Sequence, residues 1–171
     1  MISGGFDVKI TDIKAQNRKA LYMLLHVDEL RRSYTDMQQS MTLLSASNLD
    51  GMPHGSDVGK PTEGKAMKLI DLEKKKNWII SIEQMEQTLS PSKLAFLQFR
   101  RNAEAANEKG RKDACRPGWR AYVQSHYTEW ASRNLGHKHV EPITDATMKE
   151  WQREIVDVTV RMGIFHHCFD Y

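Results

Sequence analysis

The chain has 171 residues, of which 40% are hydrophobic, enough to build the core of one ordinary domain or two small ones. A net charge of +3 is too small to imply a polyanionic partner by itself, so the distribution of charge has to decide. No membrane-length apolar run or signal-peptide core occurs, and Cys115 and Cys168 lack a metal-type spacing; the expectation is a protein of the bacterial cytoplasm with reduced thiols and no membrane partner.

Residues 1–12, with Gly4 and Gly5, read as a loose tail. Ala20, Met23, Val27, Leu30, Tyr34, Met37, Met41 and Leu44 then recur in steps of three and four, a heptad seam along one helix. Such a seam has to pack on another helix, from the same chain or from a second copy. Glycines and prolines between Asn48 and Thr62 end the first helix. A second begins at Thr62 and carries Ala66, Leu69, Leu72, Ile79, Ile80, Ile82, Met85 and Leu89 at roughly helical spacing, folding back on the first. Ser90-Pro91 is a helix start, with Ser90 as cap and proline in the first turn, and Leu94, Phe96, Leu97 and Phe99 follow. Residues 13–101 are therefore expected to form a helical hairpin scaffold, and the polar stretch 102–118 a basic linker.

Residues 119–171 are patterned differently. Trp119, Tyr122, Val123, His126, Tyr127 and Trp130 form an aromatic stripe on a helix closed by Asn134 and Gly136, and helical periodicity favours core over a base-stacking platform. Thr144 is the expected cap of a last helix whose stripe is Met148, Trp151, Ile155, Val158 and Met162. The terminal IFHHCFDY has no clear assignment. The fold class expected is all-α, a long coiled hairpin followed by a helix-turn-helix-like module.

The most basic region runs from Lys93 to Arg120, and Arg100, Arg101, Arg111, Lys112, Arg116 and Arg120 are its candidate phosphate contacts. The competing reading is a solvated charged face. If the last two helices form a helix-turn-helix, the second is the recognition helix, and Asp145, Thr147, Lys149, Gln152 and Arg153 point at base edges or phosphates; two helices packed in a bundle fit the same pattern. His137, His139, His166 and His167 show no CxxC or HExxH spacing, so no metal is expected. No nucleophile–base arrangement or paired carboxylate stands out, so the chain is read as a non-enzyme without a cofactor.

The segment GMPHGSDVGKPTEGKAMKLIDLEKKK, preceded by a helix ending in Leu43-Leu44-Ser45, resembles the ArpU and RinA-type late-gene transcriptional regulators of phages of Gram-positive bacteria. The likeness covers residues 21–83 well and the remainder in outline. It implies a C-terminal, sigma-like helix-turn-helix over residues 119–163, double-stranded DNA as ligand, and RNA polymerase or another host protein as possible partner. Two departures from the pattern are the longer basic linker and the connector carrying His137 and His139 in place of a tight turn. The expected function is thus a sequence-specific DNA-binding regulator, oligomeric through the heptad seam. The alternatives are a small terminase-like packaging protein and a protein-interaction module that antagonises a host factor.

Overall fold

A computed structural model describes residues 10–47, 60–109, 118–135 and 141–169. Among them the fold is all-α, with helices α1 (Ile10–Leu25), α2 (Val27–Ser47), α3 (Lys60–Thr88), α4 (Pro91–Lys109), α5 (Trp119–Asn134) and α6 (Asp145–Phe165). Arg111, Lys112, Cys115, Arg116, His137 and His139 lie outside the described residues.

The single first helix expected from the seam is two, α1 and α2, meeting at His26. Part of the ladder carries through, since His26 N–H donates to the Tyr22 carbonyl and Leu30 N–H to the His26 carbonyl, each at 3.0 Å. A side chain from far along the chain enters beside the junction. Arg101 Nε donates to the Leu24 carbonyl at 2.8 Å, the acceptor that the amide of Asp28 would use in an unbroken helix.

The seam is buried only in part, with Met23, Tyr34, Met37 and Met41 half-buried. Ala20, Val27 and Leu30 are buried, and α2 lies along α3. Arg31 reaches Glu83 at 3.2 Å, and Lys75 donates to Ser33 at 3.0 Å. Later residues on α2 meet earlier residues on α3, so the two run antiparallel. The partner of Val27 and Leu30 is therefore internal, which takes that part of the seam away from any second copy.

Helix α3 supplies the centre of the core through Trp78, Ile82 and Met85, with Phe96 and Leu97 of α4, Val123 and Tyr127 of α5, and Met148 and Ile155 of α6 around it. Ser90 and Pro91 start α4 as their chemistry predicts, and the Lys93 amide faces Ser90 Oγ at 3.5 Å. The helix runs to Lys109, into the stretch expected as linker. Helix α5 packs chiefly on α4, and α6 on both α3 and α1. The helices read from sequence as scaffold and those read as module thus share one apolar cluster.

Because α6 packs against both α3 and α1, its buried face is wider than the stripe read from the sequence. Val156, Thr159, Val160 and Gly163 are buried alongside Met148 and Ile155, whereas Trp151, Val158 and Met162 are half-buried. Thr159 satisfies its hydroxyl by donating to the Ile155 carbonyl at 2.7 Å.

The chain then reverses through a Schellman closure. The His167 amide donates to the Ile164 carbonyl at 3.1 Å and the Cys168 amide to the Gly163 carbonyl at 2.8 Å. His167 holds the left-handed position, with φ 56°. The reversal buries Cys168 and Phe169, and the Phe169 ring meets Trp78 edge-on with centroids 5.2 Å apart.

Candidate nucleic-acid interface

Helix α6 is fixed at its start by Thr144, whose Oγ1 accepts from the Thr147 amide at 3.1 Å and also meets Thr147 Oγ1 at 2.8 Å. Ile143, just before the cap, is buried, and its carbonyl accepts from Gln124 Nε2 of α5 at 3.0 Å. The entry angle of α6 is thereby set from α5. Further along, Tyr127 and Trp151 meet edge-on at 5.7 Å, a second link between the two helices.

One edge of α6 faces α1 across an open groove lined by Asn17, Arg18 and Leu21 on one side and Lys149, Gln152, Arg153, Val156 and Asp157 on the other. Three cations and one carboxylate border it. Gln152 is half-buried, and its Oε1 is shielded from solvent without a hydrogen-bond partner. An amide oxygen in that state carries a desolvation cost. The whole outer face of α6 is mixed in charge, since Glu150 and Asp157 are exposed beside Lys149, Arg153 and Arg161. The cationic part is the α1-facing edge near the start of the helix.

Above this edge lies a short chain of charges. Arg120 Nε is 2.8 Å from Asp145 Oδ1, and Lys149 Nζ is 2.9 Å from Asp145 Oδ2. The Lys149 ammonium, by hydrogen bonding and with the charge of Arg120 added, holds the Asp145 carboxyl below its ordinary value. Arg120 also lies over the Trp119 ring at 5.3 Å, and Arg100 lies over the same ring at 4.4 Å.

The sequence-predicted contacts divide into three sets. Thr147, Lys149, Gln152 and Arg153 share the first turns of α6, with Lys149 and Arg153 exposed and Thr147 engaged in the cap. Arg120 is exposed and adjoins them through Asp145. Arg100 and Arg101, expected on the phosphate-facing surface, are instead 8% and 9% exposed. Arg100 pairs with Glu104 at 2.5 Å, and Arg101 with Glu86 at 2.6 Å and with the Leu24 carbonyl. Both guanidinium groups serve the fold: a charge buried so far has to be paired inside the protein. Asn17 and Arg18 were not singled out by the sequence reading, because nothing in α1 itself announces that α6 packs beside it.

Among the described residues no group of three or more His, Cys, Asp or Glu side chains could hold a metal ion. His126 donates Nδ1–H to the Tyr122 carbonyl at 2.8 Å and stacks on the Tyr122 ring, which accounts for it structurally. Nor is any helix among them long and apolar enough to cross a membrane. Comparison with family models, curated proteins and solved structures gives no match.

Proposed function

We propose that the chain is a DNA-binding regulator whose contact surface is the α1-facing edge of α6. The observation that carries this reading is the groove in which Lys149, Gln152 and Arg153 stand opposite Asn17 and Arg18, so that three cations border one open surface. Guanidinium and ammonium groups neutralise phosphates, and a glutamine amide both donates to and accepts from adenine in the major groove. The resemblance to late-gene regulators of the ArpU and RinA type agrees with this assignment. Arg18 joins the contact set, and Arg100 and Arg101 leave it.

The test is a titration of duplex DNA over a range of salt. The parent protein is expected to bind, with affinity falling log-linearly as salt rises. Arg18→Ala combined with Arg153→Ala should weaken binding about ten-fold and flatten the slope by roughly two phosphate contacts. Selection of bound genomic fragments should return a common sequence, and Gln152→Ala should relax preference at one position of it. Absence of binding at about 50 mM salt, where backbone attraction is strong, removes the reading.

A further inference from the structure

Asp145 stands at the first turn of α6, yet capping does not require it. Thr144 Oγ1 already satisfies the Thr147 amide. The carboxylate instead gathers two cations from two helices, Arg120 of α5 at 2.8 Å and Lys149 of α6 at 2.9 Å. We propose that Asp145 is a specificity-determining residue acting through these neighbours: it occupies both cations in the free protein and withholds them from phosphate backbones in general. This rests on the reading of the α6 edge as a polyanion surface.

The exposure of the three groups makes the exchange possible. The side chains of Arg120, Lys149 and Asp145 are 51%, 62% and 45% exposed, so an incoming phosphate oxygen can reach either cation without unfolding anything. Exposed pairs of this kind hold their partners by a factor of only roughly two to five each. A duplex that also satisfies Gln152 and Arg153 can therefore take Arg120 and Lys149 away from Asp145. A duplex that offers phosphates alone has to compete with a carboxylate already in place. Stacking of Arg120 on Trp119 keeps its guanidinium near the surface once released. Asp145 thus lowers sequence-independent attraction more than it lowers binding to the preferred sequence.

The experiment compares Asp145→Asn with Glu150→Gln, an equal charge change at an exposed position on the same helix. The probes are a duplex of arbitrary sequence and heparin, each titrated across salt. Asp145→Asn should bind both probes about three- to ten-fold tighter near 0.1 M salt, with a log–log slope steeper by about one contact. Glu150→Gln should gain less than two-fold, and the Asp145→Asn gain should vanish in Arg120→Ala, Lys149→Ala protein. Equal gains from the two variants, or none from Asp145→Asn on either probe, overturn the proposal. A gain on heparin with no duplex binding by parent or variant removes the DNA reading and with it the specificity role, leaving only the hold of Asp145 on the two cations. Circular dichroism establishes that each variant is folded, and Asp145→Ser supplies a second neutral variant judged by the same gains.

Discussion

Gly163 of α6 lies directly beneath Phe169: a Cβ built on the glycine would fall 2.9 Å from the Phe169 ring and 3.4 Å from Trp78. The close approach explains a glycine on the buried face of the last turn of α6, where the residue is otherwise unfavourable by up to about 1 kcal/mol relative to alanine.

Gly163→Ala is accordingly expected to destabilise the protein. Helix propensity favours the variant by about 1 kcal/mol, but overpacking against a buried aromatic pair costs roughly 1–3 kcal/mol. The net loss of about 1 kcal/mol should appear in the urea midpoint, with a change in Trp78 emission as the Phe169 ring shifts. A stabilised variant would mean that the ring yields freely.

His167→Gly should act in the opposite direction. The left-handed backbone at φ 56° costs a residue with a Cβ about 1–2 kcal/mol, part of which returns as added freedom of the unfolded glycine. A gain of roughly 0.5–1 kcal/mol in denaturant unfolding is the expected outcome. A loss would show that the imidazole makes a contact worth more than the backbone strain.

Arg101→Ala should destabilise by about 3–5 kcal/mol, because it leaves the half-buried Glu86 without its charge partner and removes the donor to the Leu24 carbonyl. Its effect on duplex binding should follow the folded fraction alone, with an unchanged salt slope measured at low temperature. A flattened slope in fully folded protein would return Arg101 to the contact surface.

Burial pushes the Cys168 thiol above its ordinary value, opposed by the hydrogen bond with Ser81, whose Oγ lies 3.4 Å away, and by the charge of Lys19. With the folded value raised, the contribution to stability is fully present below the unfolded thiol value. It is lost as pH rises through the folded one, so the protein should weaken in the alkaline range. In a Cys115→Ser background, a thiol reagent at pH 8 should label native protein slowly and unfolded protein quickly. Equal rates would place Cys168 at the surface.

The helices were legible where local chemistry and periodicity coincide. Thr144 caps α6 as its hydroxyl suggests, Ser90-Pro91 opens α4, and the Val27–Leu30 part of the seam is buried against another helix. Long-range partners were not legible. Arg100 and Arg101 sit in a run whose composition matches a solvated face, and the carbonyl that Arg101 binds is 77 residues away. The closure after α6 escaped notice because its left-handed position is filled by histidine, where a sequence reader looks for glycine. The start of α6 after Thr144 was legible. The neighbours of Lys149, Gln152 and Arg153 across the groove, Asn17 and Arg18, depend on a packing between the two ends of the described chain that no local pattern encodes.

Helix α6 rests against α1, so the order of synthesis matters to the surface they share. Asn17 and Arg18 leave the ribosome early and remain without their counterpart until Gln152 and Arg153 have followed. Contacts of such sequence separation form late and slowly for a helical protein. A nascent chain stalled before the final helix would therefore present the α1 side of the groove without the helix that completes it.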